Sequence, residues 1–474
     1  MNYPDWVTKY KTKGTAIHYI RGHYYLYKIT SKWNKEKKRP QKITGRYLGV
    51  ITPEGLQKPR PKQGIPTAIK EYGSSAYLLS IAEEIKQQLQ RYFPDMWKEI
   101  LVLSIIRVMY HCPLKHVGIH YQDSWLSEEI SGARLSKNSL HSLLEDLGRS
   151  RNNIVGFLSR FITGSERLLI DLTHIFSLSE GMSMNERGYN SKLEFMPQVN
   201  LLFLFSYDKQ LPLYYRLLPG NVRDVSSLGI TLLEIGIEDA IIIGDKGFYS
   251  DNNRRLLEDG GFRFILPLKR NNRLIDYSRI KDGDKSLFDG YFRYMDRFIW
   301  YYRIENKGSE ICVYLDEKLR LEEENDYLSR IETHPEFGYT LEGFHSKQSS
   351  FGTVALITNL SDLSCEKIYQ YYKSRQEIEQ LFDTFKNILN ADRTYMHDDY
   401  TLEGWMFINY LSLVYYYKIY HQLIEKKLLD KYSVSDVLLL LSKFRKIKIA
   451  NDWQNLELPK QTKTIIKQLN LPIT

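Results

Sequence analysis

Ala240-Ile241-Ile242-Ile243-Gly244-Asp245-Lys246-Gly247-Phe248-Tyr249 reads as a buried strand that ends in a carboxylate and turns at once. Helical periodicity lies on both sides of it, at 226–235 and around 252–257, and a further strand follows at 262–266. Upstream, Leu168-Leu169-Ile170-Asp171 is a second apolar run closing on a carboxylate. Residues 200–207 form a buried-type strand, Asp208-Lys209-Gln210 a turn, and 211–217 a returning strand. These elements predict a mixed α/β sheet with an antiparallel start. At 285–335 the rhythm breaks into aromatic, β-branched runs that predict an inserted antiparallel module. It resumes with a strand at 352–358.

That last strand feeds a helix, with Ser364 as its expected cap, over Tyr371-Tyr372-Lys373-Ser374-Arg375-Gln376-Glu377-Ile378-Glu379-Gln380-Leu381-Phe382-Asp383-Thr384-Phe385-Lys386. At about 100° per residue, Tyr372, Arg375, Glu379 and Lys386 fall in an arc of roughly 60°, on the margin of an apolar stripe made by Ile378, Leu381, Phe382, Phe385 and Leu389. Taken alone, this is an amphipathic core helix with its charges in water. Glu377 and Asp383 point elsewhere.

At 474 residues the chain is too long for one core. Its net charge of +9 is uneven: residues 1–70 hold 16 Lys and Arg against 3 Asp and Glu, and the remainder is slightly acidic. Short strands at 17–20, 24–29 and 46–50 surround a basic hairpin tip with Lys35, Lys37, Lys38 and Arg39, a surface suited to a phosphate backbone. A Pro- and Lys-rich linker spans 59–66. Helices are expected from Ser75 to about residue 92, over 96–110, and after Ser136, then late in the chain at 402–425 and 434–446. Three distant cysteines give neither a disulfide framework nor a zinc spacing. The longest apolar stretch, 405–417, is too short to span a bilayer, and the first residues have no signal-peptide core; a soluble, cytoplasmic protein is expected.

Asp171, Asp245 and Glu379 are three oxygen donors that a single sheet edge could bring together, a set suited to Mg²⁺ or Mn²⁺. Tyr372-x2-Arg375-x3-Glu379-x6-Lys386 resembles the YREK signature of DDE transposases from bacterial and archaeal insertion sequences, the insertion-sequence-four-like family. Asp171-Leu172-Thr173 and Asp245-Lys246-Gly247-Phe248-Tyr249-Ser250 are similar to its two aspartate motifs; Gly188-Tyr189, Gln198 and Pro219-Gly220-Asn221-x2-Asp224 resemble further landmarks. The resemblance covers about 165–425. It implies an α/β RNase H-like catalytic core interrupted by a β-rich insertion, behind a basic β and helical DNA-binding front, with a helical C-terminus. The implied division is 1–70, 71–165, 166–270, 271–350, 351–425 and 426–474.

The resemblance further implies that Asp171, Asp245 and Glu379 bind two Mg²⁺ ions, or Mn²⁺ in their place, and that Tyr372, Arg375 and Lys386 contact DNA phosphates. It implies cleavage at terminal inverted repeats and joining of the 3′-hydroxyls to target DNA, by a homodimer on double-stranded DNA associated with the nucleoid. Relatives often form a hairpin and stack an aromatic of the insertion on a flipped base; Trp300 is the candidate, with Tyr301 and plain packing as competitors. His174 reads as structural and residues 269–273 as a solvated loop. A DNA-binding protein that has lost catalysis, or a structure-selective nuclease of the same fold, are the alternatives.

Overall fold

The computed structural model describes residues 3–34, 39–58, 66–162, 166–188, 196–222, 224–237, 240–306, 308–389, 391 and 393–473. Lys35, Lys37, Lys38, Tyr189 and most of the 59–66 linker lie outside the described residues. The chain divides into two compact units, one of residues 1–68 with 447–454, the other of 69–446 with 455–474.

In the first unit, β1 (Thr15–Ile20), β2 (His23–Asn34), β3 (Arg39–Thr52) and β4 (Gly55–Gln57) form an antiparallel meander. Arg21 and Gly22, at φ 49° and 86°, make the two-residue turn, whose positive-φ backbone matches the right-handed twist of the flanking strands. Val7, Ile17, Leu26 and Ile51 make its small core. Lys28, Lys32, Arg39, Lys42 and Arg46 stay exposed along the strands, because this core is too small to call on both faces of the sheet.

β5 (Pro66–Glu71) enters the second unit at Ile69 and leads into helices Gly73–Ile81 and Glu83–Tyr92. The expected single helix breaks at Ala82, and its cap is not Ser75. The buried Glu71 carboxylate accepts from Ser74 N (2.7 Å) and Ser75 N (3.3 Å). Helices Trp97–Tyr110 and Lys137–Arg149 form as expected, the latter capped by Ser136 and burying Leu140, Leu143, Leu144 and Leu147. They pack against Asp399–Glu425, a 27-residue helix that is apolar almost all round and so is buried. The helix expected over 434–446 ends at Leu441, and its last two residues, Arg445 and Lys446, open a strand, Arg445–Ile449. Among the described residues no single helix is long and apolar enough to cross a membrane.

Beside the helices lies a mixed sheet. Its strands are β6 (Glu166–Ser177), β7 (Glu186–Arg187), β8 (Pro197–Ser206), β9 (Leu211–Pro219), β10 (Ala240–Ile243), β11 (Arg263–Leu268), β12 (Gly290–Tyr294), β13 (Arg297–Asn306), β14 (Ser309–Asp316), β15 (Thr353–Thr358) and β16 (Arg393–Thr394). The central order is β9-β8-β6-β10-β11: three antiparallel strands, then two parallel to β6. The strands expected as an inserted module continue this sheet. β15 pairs with β11 on one side and β14 on the other, and β12–β14 extend from there. Helices Glu317–Thr333 and Leu341–Lys347 complete the stretch, so it is not β-rich throughout.

Candidate active site

Ladder register brings the two aspartates level. β10 runs parallel to β6 with Ile243 beside Leu169; Asp245 and Asp171 each lie two residues further on. β10 has ended by then, but β6 has not. Residues 172–177 are mostly apolar or β-branched and go on pairing with β8 to Phe176 opposite Gln198, so Asp171 sits inside a strand rather than at its end. The end of β10 therefore opens the flank of β6 at Asp171. The Asp171 carboxylate accepts from Leu172 N at 2.8 Å.

The third wall is a broken helix, not the continuous one expected. Ser364 caps Cys365–Lys373, accepting from Lys367 N. Its start is fixed to the sheet: Tyr314 donates to the Cys365 carbonyl (2.8 Å), and the Cys365 and Cys312 sulfurs lie 3.3 Å apart. At Ser374 and Arg375 the helix tightens, and Glu377 N and Ile378 N reach only three residues back. A second helix, Gln376–Asp383, runs into a π turn, Thr384–Ile388. Phe382 and Phe385 pack their rings on Phe203, which faces Asp171 across the ladder. With Ile378 and Leu381 fully buried, these contacts seat the helix over the aspartates. Lys386 lies half-buried inside the π turn, so its phase differs from that of an ideal helix.

Arg375, 8% exposed, joins the walls. Nη1 donates to Asp245 Oδ1 at 3.0 Å and Nη2 to Asp171 Oδ2 at 3.3 Å. Its buried Nε has no hydrogen-bond partner among the described residues. Burial works against the guanidinium charge, but Asp245, Asp171, Tyr372 and Glu379 outweigh it and raise its proton affinity above the ordinary value. The Tyr372 ring lies 5.9 Å from the guanidinium carbon. Burial above all, with Asp245 assisting and Arg375 opposing, pushes the Tyr372 hydroxyl up, so it remains an O–H donor at neutral pH. Glu379 is exposed, yet close enough to act on both Arg375 and Tyr372.

The structure thus brings together Asp171, Asp245, Tyr372, Arg375 and Glu379. Among the described residues no three His, Cys, Asp or Glu side chains converge tightly enough to hold a metal ion. The two aspartates close on a guanidinium instead. Their donor chemistry, two hard oxygen ligands already placed about one positive charge, fits a divalent ion at that position. The direct pairing of Arg375 with both aspartates was not foreseen; its only sequence signal is a cation one turn before Glu379.

Other singled-out residues have structural surroundings. Gln198 donates to Asn200 (3.0 Å) and Gly220 O (3.3 Å), and Asn200 donates to Gly220 O and Val222 O, which locks the end of β9 onto β8. A Cβ on Gly220 would come within 2.3 Å of two backbone oxygens, so only glycine fits that lock. His174 is buried with its ring 4.8 Å from that of Phe176. Trp300 is half-buried between Phe288, Tyr291 and the Lys285 ammonium. The 269–273 loop is not simply solvated: Arg270 donates to Thr353 O and Glu323.

The family model described as "Transposase DDE domain" matches residues 163–415. Among solved structures, the chain is similar to a piggyBac transposase synaptic complex with hairpin DNA, at 12% identity over 73% of this chain and 69% of that one, with a TM-score of 0.42. It is also similar to a Mos1 transposase paired-end complex with the left transposon end, at 12% identity over 44% of this chain and 62% of that one, with a TM-score of 0.16. A comparison with curated proteins gives no match.

Proposed function

This chain belongs to the transposase DDE domain family, and we propose that it binds the terminal inverted repeats of an insertion sequence, cleaves the element's ends and joins the freed 3′-hydroxyls to target DNA. One observation carries the assignment of the site. Two carboxylates of the matched region, Asp171 within β6 and Asp245 just past β10, meet on one buried cation at the break between the helices bearing Tyr372 and Glu379. The order β9-β8-β6-β10-β11 supports the RNase H-like reading of the core.

Asp171, Asp245 and Glu379 would hold Mg²⁺, or Mn²⁺ in its place. Such ions activate a water or hydroxyl and neutralise the charge that develops on the phosphate and leaving oxygen. The rest belongs to the chain. Tyr372 offers a protonated hydroxyl to a phosphate, and Arg375 offers a planar fork that matches two phosphate oxygens. Lys386 adds a point charge. Phe382 and Phe385 on Phe203 hold this wall against β8. Arg39 and the neighbouring exposed cations of the first unit offer a polyanion surface of their own. The aromatic contacts of Trp300 support packing as its role over stacking on a flipped base. Two ends need two active sites, or one used in turn; a homodimer on DNA would supply two.

The test uses the full chain, Mg²⁺, DNA carrying the inverted repeats that flank its own coding sequence, and a second DNA as target. Cleavage at the ends followed by joining is expected. Cleavage without joining would favour a nuclease, and binding without cleavage in any divalent metal would sink the enzymatic reading.

A further inference from the structure

Arg375 already occupies the place between the two aspartates. Each of its terminal nitrogens engages one of them, at 3.0 Å and 3.3 Å. A guanidinium cannot give up its proton to vacate such a place; it has to move. A divalent ion entering while Arg375 remains would compete for the same oxygen lone pairs and meet a like charge at close range. We propose that Arg375 is a placeholder cation, which holds Asp171 and Asp245 together and keeps divalent metal out until a DNA phosphate draws the guanidinium away. This rests on the reading of both aspartates as metal ligands.

Two further features support an exchange of partners. The Nε–H of Arg375 is buried without an acceptor, which leaves part of the fork unsatisfied. A phosphate, with several oxygens in the geometry that a guanidinium grips bidentately, satisfies Nε and Nη together. Arg375 also stands at the break between helices Cys365–Lys373 and Gln376–Asp383, where the backbone bonds shorten to three-residue steps. Asp245 lies beyond the end of β10, with its side chain 42% exposed, so it is not held in the ladder after release.

The experiment measures Mn²⁺ binding to the full chain from the electron paramagnetic resonance of free Mn²⁺. Wild type and Arg375→Gln are compared, each with and without saturating duplex DNA from beside the coding sequence, and each also with Asp171→Asn. Without DNA, Arg375→Gln should bind Mn²⁺ about tenfold tighter than wild type, the scale of removing one neighbouring like charge. DNA should tighten wild-type binding by a similar factor and that of Arg375→Gln by much less. Asp171→Asn should remove both gains. Thermal unfolding gives a second readout: Mn²⁺ should raise the midpoint of DNA-free Arg375→Gln more than that of wild type. Equal affinities for the two proteins without DNA would overturn the proposal. The wild type alone also tests it, because a DNA-independent affinity would overturn it too. If Asp171→Asn changes Mn²⁺ binding in no arm, the metal-ligand reading itself fails.

Discussion

Arg151 shows at residue scale how this fold settles buried charge. It donates to Glu403 (2.8 Å), Glu234 (3.1 Å), the Tyr214 hydroxyl (2.7 Å) and the Tyr215 carbonyl (3.1 Å). Replacing it with Met takes the ion-pair partner from Glu403 and leaves Glu234 with Arg216 and Tyr214, so Arg151→Met should cost about 3 kcal/mol in urea unfolding. The pH dependence should change with it. Burial acts to raise the Glu234 carboxyl, but the Arg151 contact and charge, with Tyr214 and Arg216, hold it below its ordinary value. As pH falls, the unfolded chain takes up this proton before the folded one does. The contribution to stability is therefore complete above about pH 4.3 and is lost as pH falls further. In Arg151→Met that acid-side loss should shrink, as unfolding midpoints at stepped pH would record. None of this could be read from sequence, because the partners of Arg151 lie 83 and 252 positions away. The site was legible only in part for the same reason. Asp171 and Asp245 stand out as carboxylates after apolar runs, but Arg375 reaches them across 204 and 130 positions.

At the scale of elements, periodicity showed which segments are helix or strand but not where they bend. A 3.6-residue pattern assumes one unbroken helix. Tightening at Ser374–Arg375 and the π turn at Thr384–Ile388 conserve the apolar stripe while altering the phase of its margin. Strand ends failed similarly: apolar residues before Asp171 mark a strand, but its continuation depends on the partner β8. Close helix packing was equally hidden. A Cβ on Gly404 would lie 2.1 Å from Leu144 O, and one on Gly148 would lie 1.9 Å from Tyr400 O, so helices Lys137–Arg149 and Asp399–Glu425 touch backbone to backbone. Helix propensity alone favours Gly→Ala by about 1 kcal/mol. Gly404→Ala should instead destabilise by about 1–3 kcal/mol, because the helices must part; a higher urea midpoint would refute the close approach. Tyr314→Phe should cost about 1 kcal/mol, since it removes one bond to the start of the Cys365 helix but the carbonyl keeps its helical partner.

Over the whole molecule, charge was the most legible property and connectivity the least. The basic front is visible in composition, and the exposed Lys28, Lys32, Arg39, Lys42 and Arg46 agree with it. Changing these five to Gln should weaken DNA binding and lower the slope of log affinity against log salt by about one for each phosphate no longer neutralised. An unchanged slope would place the DNA surface elsewhere. By contrast, composition gave no sign that the Asp399–Glu425 helix lies against helices nearly 300 positions earlier, or that strands β12–β14 continue the central sheet. The proposed function depends on that connectivity, because only the fold sets Asp171 and Asp245 on the two ends of the Arg375 fork, with Glu379 near enough to act on the guanidinium. The most direct measurement is the rate of end cleavage in Mg²⁺ for two neighbouring variants, Glu379→Gln and Glu377→Gln. Glu379 is exposed and acts on Arg375, whereas Glu377 is held up by burial on another side of the helix. Glu379→Gln should lose about 10,000-fold in rate, the scale for one member of a catalytic set, while Glu377→Gln stays near wild type. A slow Glu377→Gln with activity kept in Glu379→Gln would contradict the assignment of Glu379 to the site.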